Sequence, residues 1–141
     1  MTRLAFFILL ALGGVATSTQ ASAQSPPLAA ACAAPLKPAL ELNLYFGRDR
    51  PGGEVSEAEW ATFLAQEVTP RFPDGLSVIN VAGQSRDVAG PVGRERTKLL
   101  IVVIFDAPAH QAKVQAIVEA YNLRFGQHGV FRTEHTVCAG V

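Results

Sequence analysis

Leu99-Leu100-Ile101-Val102-Val103-Ile104-Phe105 is a run of seven apolar residues between Lys98 and Asp106. It is too short to cross a bilayer, and its β-branched content reads as a strand rather than a helix. Because it is apolar at every position instead of alternate ones, it predicts a strand buried on both faces and central in its sheet. Full burial is worth about 1.5 to 3 kcal/mol per side chain of this kind, and no stretch downstream of residue 23 matches it in bulk.

Upstream, Leu40, Leu42, Leu44 and Phe46 alternate with Glu41, Asn43 and Tyr45, the pattern of a half-buried first strand. Gly47 ends it, and Arg48 to Gly53 form a charged, turn-rich loop. Ser56-Glu57-Ala58-Glu59 has the spacing of a capping box, followed by Trp60, Phe63, Leu64 and Val68 on one helix face until Pro70, Pro73 and Gly75. Leu76 to Val81 reads as a second strand, joined to the apolar third strand by a polar, glycine-rich connection of long-hairpin type. Asp106 is expected to cap a second helix with Pro108 in its first turn. Val114, Ile117, Val118, Tyr121 and Phe125 give that helix its apolar face, and Gly126 its C-cap. Val130 to Cys138 alternates again as a fourth strand. The resulting βαββαβ order predicts an α+β, ferredoxin-like sandwich, an antiparallel sheet in the order 4-1-3-2 with two helices on one face.

Residues 1–23 have the form of a secretory signal: Arg3, an apolar core from Leu4 to Leu12, and small residues at Ala21-Ser22-Ala23. The chain is therefore expected to be exported, to the periplasm or the medium, with no stable membrane span after processing. Residues 24–39, rich in Ala, Pro and Ser, read as a flexible linker, leaving 40–141 as one domain. The 12 basic side chains fall to 11 with loss of Arg3, against 12 acidic ones. That near-neutral balance gives no reason to expect nucleic acid as a partner. Cys32 and Cys138, at the two ends of the domain, are the only thiols; in an oxidising compartment they are expected to bridge, two free thiols being the other reading.

Helices on one face leave the other face of a doubly apolar strand uncovered, and a second copy of the chain is the simplest cover, so a homodimer through the open face is expected. Asn43 and Tyr45, with Arg132, Glu134 and His135 from the fourth strand, are expected around a pocket on that face, or as a polar rim or dimer contacts. The topology also gathers Arg48, Arg50, Gln84, Arg86, Arg94 and Arg96 at one end of the sheet. These read either as a site for a small anionic ligand or as a salt-bridge network with Asp49, Glu59, Asp87 and Glu95. No metal site and no cofactor are expected, since His110, His128 and His135 lack ligand spacing and no phosphate-binding glycine motif is present.

The segments Leu44-Tyr45-Phe46-Gly47-Arg48, Ser56 to Trp60, Val68 to Gly75, Gly83 to Asp87, Glu95 to Lys98 and Tyr121 to Gly126 resemble a family of small exported bacterial proteins known only as a domain of unknown function. The resemblance spans Leu44 to Val137, carries no activity, and gives weight to Arg48, Arg71, Arg86 and Glu95. The leading functional expectation is a non-enzymatic module of the cell envelope that binds a small anionic ligand or an envelope protein. The alternative is a cofactor-independent enzyme of the dimeric α/β-barrel type with its pocket on the open sheet face.

Overall fold

The alternating segment around Leu42 forms β1 (Lys37–Gly47), and the polar connection ahead of the apolar run folds as a hairpin of β2 (Ser77–Arg86) and β3 (Val92–Ile104). In the computed structural model, which describes residues 32–86, 90–105 and 109–141, β4 (Phe131–Ala139) completes a four-stranded antiparallel sheet ordered β2-β3-β1-β4. Helix α1 (Glu57–Phe63) follows β1 and helix α2 (His110–Phe125) follows β3, so the chain is α+β. The signal segment, the linker up to residue 31, Asp87, and the capping pair Asp106 and Pro108 lie outside the described residues.

The strand β3 is paired on both flanks, with β2 from Val92 to Ile101 and with β1 from Thr97 to Ile104. Its position is interior, as its sequence requires. Its cover is one-sided in the single chain: Leu100 and Val102 are 0 % and 2 % exposed beneath the helices, whereas Val103 on the other face is 39 % exposed. Both helices return to the same side, so a single chain leaves the second face open, the face for which a second copy is the expected cover.

That side is closed by aromatic packing. The Phe46 ring of β1 lies 5.2 Å from Trp60 and 4.8 Å from Tyr121, with Phe63 of α1 and Phe125 of α2 completing the cluster. Leu42, Leu44, Leu100, Val102, Val114 and Ile117 extend it across the sheet. The Tyr121 hydroxyl donates to the carbonyl of Gly47 at 2.9 Å, and burial pushes its pKa up.

Helix α1 begins as its sequence predicts: Glu59 N–H donates to Ser56 Oγ at 3.2 Å, and Ser56 N–H donates to the Glu59 carboxylate at 2.9 Å. Its continuation, Leu64–Val68, widens into a π-helical turn closed by Thr69 N–H on the Leu64 carbonyl. Helix α2 has Ala109 at its N-cap position with no side-chain cap, and ends on Gly126 in the left-handed region at φ 65°.

The strand β1 starts at Lys37, so the last three residues read as linker belong to the sheet, Lys37 opposite Ala139 and Pro38 opposite Cys138. The reason is the bond between Cys32 and Cys138, which holds the incoming chain alongside β4. The bridge closes a sequence separation of 106 residues. Replacing both cysteines by serine is expected to lower the unfolding free energy by about 2 to 5 kcal/mol, read as a fall in urea midpoint; an unchanged midpoint would deny the bridge any role in stability.

Candidate functional site

At the end of the sheet where β1 gives way to α1, the expected anion ligands are largely occupied with internal carboxylates. Arg48, only 5 % exposed, donates from Nε to the Val55 carbonyl at 2.7 Å and from Nη1 to Glu57 at 2.5 Å, and pairs with Glu54 at 3.1 Å. Lys98, 4 % exposed, donates to the other oxygen of Glu57 and to Asn80 Oδ1, both at 2.6 Å. Arg50 holds Glu59 at 2.9 Å with its guanidinium over the Phe125 ring, and Arg96 pairs with Glu54. Gln84, Arg86 and Arg94 are exposed on the outer part of the β2-β3 hairpin, Gln84 opposite Arg94. The six residues thus divide between a packed ion-pair network and a projecting arm. A hollow of about 300 Å³ lies within the network, beside Arg48, Glu57, Asn80, Arg96 and Thr97.

The network leaves a mark on its carboxylates. Lys98 beside Glu57, with Arg48 behind it, holds that carboxyl below the usual range. Glu59 is held at about 2 by the Ser56 N–H, the Ser56 hydroxyl and Arg50.

The opposite, uncovered face of the sheet is set by strand register, since directly paired residues share a face. Asn43 and Tyr45 lie on it, as expected, with His135 opposite Glu41. Arg132 and Glu134, expected beside them, are instead on the helix face because they pair with Leu44 and Leu42. The apolar members of β4 point the other way: Phe131, 70 % exposed, pairs with Tyr45, their rings 5.6 Å apart on the open face. Ile79, Leu99, Ile101 and Val103 continue this apolar floor.

Two carboxylates share that face: Glu41, which accepts from Asn43 Nδ2 at 3.0 Å, and Glu95. Glu95 lies opposite Gly83, and its side chain reaches over the backbone of Gly47, where an added Cβ would meet Oε2 at 2.5 Å. An added Cβ on Gly83 would meet Thr97 Oγ1 at 2.7 Å. The two glycines therefore make the recess that receives Glu95 and Thr97. Among the described residues no ion pair engages Glu95, although arginines surround it in sequence. Sequence reading treated Glu95 as a counter-charge; its place on the open face follows only from pairing.

At the far end of the sheet a cleft of about 470 Å³ is lined by Arg71, Phe72, Leu76, Ile104, Phe105, His110 and Lys113, among others. Neither His110 nor Lys113 figured among the expected site residues. Their spacing of three on α2, continuous with Val114 and Ile117, is the signal that places them on one face. Glu134 and Arg132 come to this side: His110 Nε2 is 3.3 Å from Glu134, and Arg132 donates to Gln111 Oε1 at 3.1 Å.

Residues 41–140 match the family described as "Protein of unknown function (DUF3574)". The chain belongs to this family. No curated protein matches its sequence. Among solved structures it is similar to a phage SAM lyase in complex with S-methyl-5'-thioadenosine, at TM-score 0.54 and 14 % identity, covering 72 % of this chain and 90 % of that one. The same phage SAM lyase in its apo state matches at TM-score 0.54 and 13 % identity, over 73 % and 86 %. At that identity the likeness is one of fold. It nevertheless corrects the leading expectation of a non-enzymatic binding module, because the architecture it shares is that of an enzyme. No helix among the described residues is long and apolar enough to cross a membrane.

The depressed carboxyls at the start of α1 set a pH dependence. Their ionisation contributes stability that is fully present above the unfolded value near 4.5 and is lost as pH falls through about 2 for Glu59. Glu59→Gln is expected to lower the urea midpoint at neutral pH and to flatten its fall on acidification; a slope equal to that of the parent protein would exclude Glu59 as a contributor.

Proposed function

We propose that this chain is an exported, cofactor-independent enzyme. In this reading its ferredoxin-like sandwich pairs through the open sheet face with a second copy and encloses a small-molecule pocket between the two. The observation that carries the reading is Glu95, a carboxylate with no ion pair among the described residues, set in a glycine-lined recess on the open face. Such a group is suited to accept a proton, and enclosure by a partner strengthens its interactions by excluding water. The Tyr45 hydroxyl and the Thr97 hydroxyl share its face and can donate hydrogen bonds to a departing or developing anion. Asn43 and His135 lie farther along the same face as polar groups for orienting a substrate.

A reaction suited to this equipment is an elimination: Glu95 takes a proton from carbon, the C–H electron pair forms the new double bond, and a leaving group departs with its bonding electrons. It requires neither metal nor redox partner. The phage protein with the same fold is named a lyase acting on SAM, and SAM is the first substrate to try. Incubation of the processed protein with SAM is expected to release S-methyl-5'-thioadenosine, followed by chromatography. Glu95→Gln should lower the rate by about 10² or more with the fold intact. Turnover by Glu95→Gln at the parent rate would remove the carboxylate from the reaction, and no turnover by the parent protein would remove SAM.

The cover of the open face is tested separately. Exposed Ile79, Val103, Phe105 and Phe131 form too continuous an apolar surface for a solitary sheet. Light scattering is expected to give twice the chain mass at micromolar concentration, and Val103→Asp to give the single mass. A well-folded parent monomer at that concentration would end the dimer reading.

A further inference from the structure

The cleft at the far end of the sheet exists because β2 begins at Ser77, opposite Ile101, so that β3 beyond that point has no strand on that flank. The loop carrying Arg71, Phe72 and Leu76 stands off this free edge, and the first turn of α2 closes the remaining wall. Its volume of about 470 Å³ lies in the range of small-molecule sites. Along β3 it is roughly 30 Å from Glu95, at about 3.3 Å per residue.

Its polar groups are mostly donors. Arg71, which lines the cleft, is held by the Glu67 carbonyl and carboxylate at 2.6 and 3.0 Å. Lys113 is met by the Phe72 ring, its Nζ 5.7 Å from the centroid, rather than by a carboxylate among the described residues. His110, 5 % exposed, lines the same cleft. Its Nε2 lies 3.3 Å from the Glu134 carboxylate and 3.0 Å from the amide nitrogen of Gln111, whose oxygen is held by Arg132. Its Nδ1 is buried and has no hydrogen-bond partner among the described residues. A buried polar atom without a partner is a standing cost that a polar group of a bound ligand relieves. Among the described residues Asp74 is the one carboxylate lining the cleft.

We propose that this cleft binds a small amphipathic carboxylate, with Lys113 meeting the anionic group and Phe72, Ile104 and Phe105 covering the apolar part. Arg71 reinforces the positive field. Its polar residues are not those of the open-face pocket and lie toward the opposite end of β3, while Ile101, Val103 and Phe105 border both.

The test is calorimetric titration of the full processed protein with 3-phenylpropionate, against 3-phenylpropan-1-ol as the neutral analogue of the same shape. The acid is expected to bind about tenfold or more tighter than the alcohol. Lys113→Met should erase that preference, Lys113→Arg should retain it, and Glu95→Gln should leave it unchanged. Binding of the acid should also move the imidazole resonances of His110. Equal binding of acid and alcohol, undiminished binding by Lys113→Met, or no binding of the acid at millimolar concentration would each overturn the proposal.

Discussion

The strand β1 is paired on both sides, and its two registers are the constraint from which everything else follows. Leu42 and Leu44 must face the helices, because each is fully buried in the aromatic and aliphatic core. A one-residue slip on either flank would turn every side chain of the neighbouring strand to the other face. On one flank that register puts Leu100 and Val102 inside and Leu99, Ile101 and Val103 outside. On the other it puts Arg132 and Glu134 inside and Phe131 and His135 outside. Both candidate sites are consequences of these two choices.

The charged end illustrates why residue type alone does not make a ligand site. Arg48 and Lys98 are nearly sealed from water, and a buried cation is tolerated only when carboxylates or carbonyls meet it. Glu57 serves both, one oxygen each, and the Val55 carbonyl and Asn80 amide oxygen complete the shells. The arginines nearest the sheet therefore latch the loop after β1 to α1 and β3. Glu95 on the open face stands out because, unlike Glu54, Glu57 and Glu59, it has no cationic partner among the described residues.

Much of the local structure was legible. Ser56 and Glu59 announce the start of α1, Gly126 the end of α2, and the seven-residue apolar run an interior strand, because these depend on short-range hydrogen bonding and on burial of one continuous segment. The fourth strand was read with Arg132 and Glu134 on the wrong side. Its apolar set, Phe131 and Val137, has the parity that would mark a core face in an ordinary edge strand, yet it lies on the uncovered side. His110 was passed over for a related reason: its partner Glu134 is 24 positions away and comes within reach only when β4 lies against β1.

The sequence by itself determined which segments become the four sheet strands and the two helices, where α1 starts and α2 ends, and that the apolar run lies inside the sheet, since periodicity, capping chemistry and hydrophobicity are properties of neighbours along the chain. Only the tertiary structure decided which side of each strand meets the helices. It also decided that Glu95 rests over Gly47 without a counter-ion and that a cleft opens where β2 falls short of the end of β3. Those outcomes depend on register and strand length across the sheet, set by the packing of residues far apart in the chain.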